Sequence, residues 1–290
     1  MSIGTRRSVK EVNLGAGDAV TALPALEAGE CLVDARNLSY AYPNGPLAVT
    51  DVSIEIRPRE IVSVVGPSGC GKSTILALLA GLRHPGSGEI RWAPSLTTDR
   101  ERLRLSLVFQ KDTLLPWKTV AGNVGAGLKY QKGLSRSEKR DRVYSLLDLV
   151  GMRDSAAAYP YQLSGGMRRR TAFLAAVAPM PALLALDEPF MSLDEPTRIV
   201  VHREVLKIVR KVEMGVILVT HDIAEAVSLS DRVYVLTSRP ARVREAFSIP
   251  LGNDRDVMTL REDPVFLDCY RKIWHVLHDE IRRSLPSADA

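Results

Sequence analysis

The stretch Gly66-Pro67-Ser68-Gly69-Cys70-Gly71-Lys72-Ser73 decides the fold of this chain. It fits the pattern GxxxxGK followed by Ser or Thr, comes after an apolar run at 61–65 that is typical of a buried strand, and predicts a helix running to about Leu82. Glycines let successive main-chain N–H groups point at phosphate oxygens, and Lys72 adds a positive charge between the β- and γ-phosphates. Ser73 is placed to ligate Mg²⁺, and Lys72 is not expected to lie in the core. The stretch therefore predicts a phosphate-binding loop, with an ordinary glycine turn as the alternative.

The composition predicts a folded, water-soluble protein. The chain has 290 residues, of which 46% are hydrophobic and 25% charged, and this length allows one large α/β domain or two smaller ones. The formal charge of +5 favours no class of partner by itself. The cysteines Cys31, Cys70 and Cys269 are widely spaced, which supports neither a disulfide framework nor a zinc site and fits a reducing cytosol.

The hydropathy of the chain predicts neither a membrane span nor an export signal. The longest uncharged stretch, residues 171–186, is shorter than the roughly 20 apolar residues of a span and contains Pro179 and Pro181. It predicts a buried helix followed by a buried strand. Any membrane association is therefore expected to come through a partner.

Hydrophobic periodicity places helices and strands along the rest of the chain. Residues 1–30 lack clear periodicity and are predicted to form a flexible extension. Further strands are predicted at 52–56, 105–109, 183–186, 216–219 and 233–236, and helices at 137–151, 197–212 and 223–229. A terminal amphipathic helix is predicted over 264–283, with the apolar residues Phe266, Tyr270, Ile273, Trp274 and Leu277. This alternation predicts a mostly parallel sheet.

Four further features follow the glycine-rich loop in a fixed order. Gln110 comes after a predicted strand, Leu163-Ser164-Gly165-Gly166-Met167 lies beyond the middle helix, the run 183–186 leads into Asp187-Glu188-Pro189, and His221 follows another strand. With these motifs in this order, residues 31–245 resemble the ABC ATPases. The resemblance implies an α/β fold of the P-loop NTPase (RecA-like) type, whose mostly parallel sheet is joined by an antiparallel β-subdomain and an inserted α-helical subdomain.

The same resemblance implies how the chain is divided. Residues 1–30 are the flexible extension, and residues 31–250 form an ABC ATPase domain. Within that domain, 31–110 and 177–250 make up the catalytic core, while 111–176 form the helical subdomain with the signature motif. Residues 251–290 are expected to form a C-terminal helical tail.

The resemblance assigns the chemistry to the catalytic residues Lys72, Gln110, Glu188 and His221. Phosphoryl transfer to water needs an aligned water, a base near it and positive charge on the departing phosphates. By resemblance, Glu188 polarises the water and His221 contacts the γ-phosphate, and Mg²⁺ is held by Ser73, Gln110 and Asp187. The simpler alternatives are a helix-capping Asp-Glu pair and structural roles for a lone glutamine and a lone histidine.

A larger set is implied for the binding of ATP. In the family, Ser164 and Gly166 meet the γ-phosphate that is bound by the other subunit of a homodimer enclosing two ATP molecules, although a simple N-cap is also open to Ser164. Tyr42 is the best match to the aromatic residue that stacks on adenine, with Tyr40 as a competitor and a core role as the alternative. The implied nucleotide-binding residues are Tyr42, Gly66, Pro67, Ser68, Gly69, Cys70, Gly71, Lys72, Ser73, Thr74, Ser164, Gly165, Gly166 and Asp194.

Three segments narrow the resemblance to the ATPases of nitrate, taurine and alkanesulfonate importers. They are Leu115-Pro116-Trp117-Lys118-Thr119-Val120, Ser164-Gly165-Gly166-Met167-Arg168 and Ser238-Arg239-Pro240-Ala241-Arg242-Val243, which follows the last predicted strand. Such a subunit is peripheral, at the cytoplasmic face of the inner membrane. Its implied partners are integral membrane permease subunits and, indirectly, a periplasmic or extracellular solute-binding protein, with no nucleic acid.

Docking of the permease is expected on the segment 110–120. Leu114, Leu115 and Trp117 are apolar residues just after the catalytic glutamine, and packing inside the helical region is the alternative for them. Ala175 and Met191 depart from the family pattern without removing a group that touches phosphate or water. Two other classes fit less well: a non-transport ABC ATPase usually carries a coiled-coil insertion or a second cassette, and a small-molecule kinase leaves the signature motif unexplained.

Overall fold

Two sheets and their flanking helices form the chain. The structure is a computed structural model that describes residues 31–98, 105–111, 113–131, 133–191, 193–212, 214–252 and 255–284. The predicted extension at 1–30 lies outside the described residues, as do Ser192 and the last six residues of the predicted tail. The strands are β1 (Val33–Ala41), β2 (Leu47–Ile56), β3 (Ile61–Val65), β4 (Ser87–Trp92), β5 (Leu105–Val108), β6 (Leu183–Asp187), β7 (Gly215–Thr220), β8 (Arg232–Leu236) and β9 (Val243–Ser248).

The helices lie between and after these strands. They are α1 (Lys72–Leu79), α2 (Pro94–Thr98), α3 (Val120–Val124), α4 (Arg136–Leu149), α5 (Gly165–Val177), α6 (Glu195–Val212), α7 (Ile223–Leu229) and α8 (Pro264–Ser284). Short 3₁₀ turns occur at Gly127–Tyr130, Arg153–Ser155, Pro160–Gln162 and Leu260–Glu262. Of the helices in the part of the chain that the structure describes, none combines the length and the apolarity that crossing a membrane requires.

The larger sheet is the mostly parallel sheet that the sequence predicts. Its strand order is β5-β6-β7-β3-β8-β9, and all neighbours are parallel except β8 and β9. Successive residues of β6 alternate between two cores: Leu183 and Ala185 face the smaller sheet, whereas Leu184 and Leu186 face the helices α3 to α6. The central strands are therefore buried on both faces, which explains why their sequences are apolar runs rather than alternating patterns.

The smaller sheet is antiparallel and has the order β2-β1-β4. It is tied to the larger sheet beside β9, because the Ala241 N–H donates to Ala48 O and Ala241 O accepts from the Thr50 N–H, both at 2.9 Å. These bonds hold β2 over the start of α1. The predicted α/β fold, with its parallel sheet, antiparallel sheet and helical insertion, is confirmed.

Several predicted boundaries were wrong for identifiable reasons. Helix α1 ends at Leu79 rather than near Leu82, because Gly81 takes a positive φ of 68° and the Leu82 N–H closes on Ala77 O at 2.9 Å, as at a glycine-terminated helix end. Strand β2 begins at Leu47, five residues before the predicted strand. Its pairing with β1 contains bulges, and three consecutive buried residues interrupt the alternation there.

The predicted buried strand over 105–109 is shorter and more exposed than expected. It ends at Val108, and its first three residues are only half-buried because β5 is the edge strand of the sheet. Strand β9, which contains Val243, follows the strand predicted to be the last. The middle and terminal helices were placed correctly within a few residues, and the predicted face of α4 with Val143, Leu146, Leu147 and Val150 is buried.

The terminal helix α8 packs its apolar face on α7, β8 and β9. Phe266, Ile273 and Leu277 are buried there, and Tyr270 is half-buried. The inclusion of Trp274 in this face was wrong, since its side chain is 44% exposed and stacks on His278. Trp274 follows Ile273 directly, and a step of one residue turns about 100° around a helix axis, away from the buried stripe.

Candidate active site

The glycine-rich loop wraps around the lysine that it carries. Lys72 Nζ donates to Gly66 O at 2.9 Å and to Pro67 O at 3.0 Å, and the residue is only 5% exposed, so the expectation that Lys72 lies outside the core was wrong. Gly71 has φ of 130°, and a Cβ there would lie 2.9 Å from Ala48 O. Glycine is therefore required where the loop passes under β2. Ser68 and Gly69 lie at the exposed rim of the loop.

Ser73 and Asp187 meet directly above this loop. The Ser73 hydroxyl donates to Asp187 Oδ1 at 3.0 Å, and Asp187 ends β6, two strands from β3. Burial raises the pKa of the Asp187 carboxyl and neighbouring Glu188 also raises it, whereas the hydrogen bond from Ser73 and the charge of Lys72 lower it. Two oxygen ligands at right angles, each about 2.1 Å from Mg²⁺, would lie about 3.0 Å apart, so this hydroxyl and carboxylate fit the ion.

Glu188 and His221 form a second contact beside the first. His221 Nδ1 lies 3.3 Å from Glu188 Oε2, at the carboxyl ends of β7 and β6. Glu188 has a positive φ of 44°, and its N–H donates to Val219 O at 2.9 Å. A non-glycine residue in this conformation is strained, and such strain persists where the surroundings fix the backbone. The carboxylate is thus aimed at the imidazole rather than back into the sheet.

Helix α7 begins just after the histidine and is capped and paired with α6. Asp222 caps α7 by accepting from the Glu225 N–H at 3.1 Å, and it pairs with Arg198 of α6 at 2.9 Å. One turn further along, the buried Glu225 lies 3.2 Å from His202 of α6. Together with Glu188 and His221, several of these residues line one cleft. Two side-chain contacts therefore join α6 to α7 just after the carboxyl end of β7.

Gln110 stands apart from this cluster. It follows β5 at the edge of the sheet, and its side-chain amide donates to Met191 Sδ at 3.5 Å. Among the contacts of the described residues, its side chain is not joined to Ser73 or Asp187. Gln110 thus lies, like the candidate metal ligands, at the carboxyl ends of the parallel strands, but its side chain does not contact theirs.

The signature motif caps its own helix. The Ser164 hydroxyl accepts from the Met167 N–H at 3.3 Å, as the simple capping role predicts. Gly166 packs so closely against α6 that a Cβ would lie 2.8 Å from Thr197 Cγ2. Gly165 and Ser164 are exposed, and Asp194 accepts from the Thr197 N–H at the start of α6. The hydrogen bond from Thr197 holds the pKa of the Asp194 carboxyl below its ordinary value.

The rings of the two candidate tyrosines pack edge to face, with their centroids 5.2 Å apart. The Tyr42 hydroxyl is 3.0 Å from Thr74 Oγ1, in the first turn of α1. The Tyr40 hydroxyl instead accepts from Arg83 Nη1 at 2.9 Å, while the Arg83 guanidinium lies 4.7 Å from the centre of the Tyr42 ring. Of the two, Tyr42 is therefore the one joined to the helix that follows the loop.

Comparison with known proteins places this geometry in a family. The family described as ABC transporter matches residues 49–191. An uncharacterised ABC transporter ATP-binding protein of Methanocaldococcus jannaschii is 40% identical over 242 residues, which cover 82% of this chain and 87% of that relative. The chain belongs to the ABC transporter ATP-binding proteins. It is therefore an ATP-binding protein and an ABC-type ATPase.

Other members of the ABC family carry more specific names. A taurine import ATP-binding protein of Rhizobium johnstonii is 38% identical over 235 residues, covering 80% of this chain and 89% of the relative. A nitrate import ATP-binding protein of Synechococcus elongatus is 38% identical over 254 residues, covering 86% of this chain but 38% of the relative. The resemblance to nitrate and taurine importer ATPases is thereby confirmed.

Solved ABC cassettes show the same fold. The cassette MJ0796, in a dimeric post-hydrolysis state bound to ADP and Pi, has a TM-score of 0.64 and 29% identity, and the match covers 75% of this chain and 98% of that chain. The predicted P-loop NTPase fold is therefore confirmed for this ABC ATPase.

Two buried polar residues of the ABC ATPase were missed by the sequence reasoning. Asn123 accepts from the Leu115 N–H at 2.7 Å and donates to the carbonyls of Leu115, Lys118 and Thr119, so it shapes the turn that carries Trp117. Arg169 lies in a run of three arginines that reads as an exposed charged face. Only the packing of α5 reveals that its side chain is buried.

Proposed function

We propose that this chain is the ATP-hydrolysing subunit of an importer, and that it closes as a homodimer around two ATP molecules to drive a membrane permease. The observation that supports the chemistry is a pair of contacts at the carboxyl ends of the parallel strands: Ser73 with Asp187 at 3.0 Å, and Glu188 with His221 at 3.3 Å. They supply a metal-binding pair and a base beside it. Hydrolysis of a phosphoanhydride needs both.

In this proposal the phosphates of ATP take the place of the loop carbonyls around Lys72. The N–H groups of the loop, from Gly66 to Thr74, surround the β- and γ-phosphates, and Tyr42 stacks on adenine. Ser73, Asp187 and, as the family resemblance implies, Gln110 would hold Mg²⁺, which would neutralise phosphate charge. Glu188 takes a proton from the attacking water, and His221 orients Glu188 while contacting the γ-phosphate.

The position of the signature motif supports a dimer. Helix α5 packs beside β5, and three strand spacings of about 4.8 Å place β5 roughly 14 Å from β3 and its loop. The exposed Ser164 and Gly165 at the N-terminus of α5 are suited to an anion, but that anion is not the phosphate on the same chain's loop. A second copy would bring this helix end to it, with Asp194 at the interface.

The partner surface is proposed on the segment 110–120. Trp117 is 71% exposed, so packing of this residue inside the helical region is excluded, whereas Leu114 and Leu115 are half-buried. A rigid exposed aromatic next to a segment that leads to Gln110 suits a docking site for a cytoplasmic permease helix. The subunit would then be peripheral, at the cytoplasmic face of the inner membrane.

The names of the nitrate and taurine importer relatives support a solute class. We place it among nitrate, taurine and alkanesulfonate-type solutes, delivered by an external solute-binding protein. Uptake of labelled taurine, nitrate and an alkanesulfonate by cells that express the chain with the permease and binding protein encoded beside it tests this class. Uptake of none of the three would remove the assignment and leave the ATPase itself intact.

Replacement of Glu188 tests the ATP-driven dimer. Glu188→Gln keeps the shape of the side chain but loses its proton-accepting charge, so hydrolysis should fall by about 10²- to 10⁴-fold while ATP still binds. ATP should then persist between the subunits, and light scattering after chromatography with ATP and Mg²⁺ should show a dimer. The matched control is the wild-type chain with ADP, which should elute as a monomer. A monomeric Glu188→Gln chain at saturating ATP would contradict the sandwich.

A further inference from the structure

Arg169 is a buried arginine whose side chain joins two separate segments of the candidate site. It lies in α5 and is 3% exposed. Its guanidinium donates to Phe109 O at 3.0 Å, Gln110 O at 2.6 Å and Glu188 O at 3.4 Å, and its Nε donates to Pro189 O. The first two carbonyls follow β5 and the other two follow β6.

The chemistry of the guanidinium suits this position. Burial of a cation costs several kcal/mol unless hydrogen bonds compensate it, and four main-chain carbonyls accept from Arg169. The planar fork also fixes the directions of its donors, so the carbonyls it binds are held in one geometry relative to each other. A lysine, with a single ammonium group, cannot span both segments in this way.

The backbone of Glu188 needs such support. Its φ of 44° is strained, its N–H is held by Val219 O, and its carbonyl is the group that Arg169 binds. The strain aims the carboxylate at His221. Loss of the bond on the carbonyl side would let the backbone relax and move the carboxylate.

The next arginine along α5 has a different surrounding. Arg170 donates to Val150 O at 3.3 Å and lies 3.8 Å from Glu204 of α6. These contacts stay within the helical side of the molecule. Arg170 therefore provides a control on the same helix with the same side-chain chemistry.

We propose that Arg169 is a positioning residue that keeps the main chain at Gln110 and Glu188 in register with the signature helix α5. A displacement of α5 on contact with a second subunit would then reach the water-activating carboxylate through one side chain. The proposal rests on the proposed roles of Gln110 and Glu188. Arg169 acts through their main chain and touches neither nucleotide nor water.

Steady-state ATP hydrolysis by the full chain tests the proposal with Arg169→Gln and Arg169→Lys. Because a displacement of about 1 Å costs up to about a hundredfold in rate, kcat should fall at least tenfold in both variants, while KM for ATP stays within about threefold. Arg170→Gln should keep kcat within about twofold. The proposal would be overturned by a raised KM with unchanged kcat. It would also be overturned if the variants only melted at a lower temperature and kept the wild-type kcat where they are folded. Failure of both Arg169 variants to fold would overturn it as well, because the role would then be structural.

A combined variant separates positioning from an independent effect. If Arg169 acts through Glu188, adding Arg169→Gln to Glu188→Gln should lower the residual single-turnover release of labelled phosphate by less than about twofold. If the rate loss of the double variant equals the product of the losses of the two single variants, the proposal is contradicted. If Glu188→Gln alone stays active, the assigned role of Glu188 fails, whereas inactive Glu188→Gln with active Arg169 variants removes only the role of Arg169.

Discussion

The two parts of the candidate site are built in opposite ways. Ser73, Asp187, Glu188 and His221 follow three neighbouring parallel strands and lie within contact distance in one chain. The signature residue Ser164 instead begins a helix beside the edge strand and faces outward. Parallel strands bring their carboxyl ends together whatever the intervening sequence, whereas the exposed N-terminus of α5 leaves main-chain N–H groups accessible to an anion. In the proposed function, one chain therefore contains the residues assigned to the metal and the water, and its signature motif serves another chain.

The largest loss is expected on the side that one chain contains. Lys72→Ala should lower ATP turnover by about 10²- to 10³-fold, because the β- and γ-phosphates lose their fixed positive charge. Lys72→Met retains the packing of the buried stem and should lose as much turnover with a smaller change in melting temperature. Normal ATP turnover in either variant would contradict the contrast drawn between the two parts of the site, since the part that contains Lys72 would then not carry the chemistry.

A smaller and different loss is expected at the signature motif. Ser164→Asp keeps a good N-cap but places a negative charge where the γ-phosphate of a second subunit would sit. Such like-charge contact costs several kcal/mol, so ATP-driven dimerisation in the Glu188→Gln background should weaken about a hundredfold. Binding of ATP to the monomer should not change.

Ser164→Asn is the matched control, because asparagine has the same size as aspartate and also caps helices but carries no charge. Sedimentation equilibrium gives the dimer affinity, and a fluorescent nucleotide gives the affinity of the monomer. Equal dimerisation of the Asp and Asn variants would contradict the proposal that the γ-phosphate of a second subunit lies at Ser164. A loss of monomer binding in the Asp variant would instead place Ser164 at its own chain's nucleotide.

The smallest effect on chemistry is expected at the partner surface. Trp117→Ala should weaken binding to the permease about tenfold, as for an interface aromatic, and leave the melting temperature and ATP turnover of the isolated chain nearly unchanged. Tyr130→Ala is the control, since Tyr130 is even more exposed than Trp117 but lies at the end of a 3₁₀ turn outside the segment 110–120. The affinity for the permease is measured in detergent. If both changes lower this affinity equally, Trp117 has no specific role in docking.

The sequence predicted best what the central strands determine. The run 61–65 and the helix at 223–229 were placed without error because burial on both faces, or clear capping by Asp222, leaves a strong pattern. Edge positions were harder: β5 was predicted too long and too buried, and β9 was missed because its residues are mostly exposed. Nothing in single-sequence periodicity says which strand lies at an edge.

The candidate site was also only partly predictable. The order of the motifs indicated candidates for the chemistry, but the distance between Gln110 and Ser73 depends on the path of β5 and its turn. Buried polar residues were invisible for another reason. Arg169 lies between Arg168 and Arg170, so its chemistry gave no sign that it alone of the three would be so deeply buried. Such residues are found from packing and not from composition.

The contact between Gly166 and Thr197 couples the residue types that are allowed at two positions 31 residues apart. Gly166 lies in a helix with an ordinary backbone, so what forbids a side chain there is the Cγ2 methyl of Thr197 at 2.8 Å and not its conformation. A serine at 197 would retain the hydroxyl and remove that methyl, and alanine at 166 would then fit. Glycine in the signature motif is thus partly an epistatic consequence of threonine in α6: Thr197 can lose its methyl group while Gly166 stays, but a side chain at 166 first requires a change at 197.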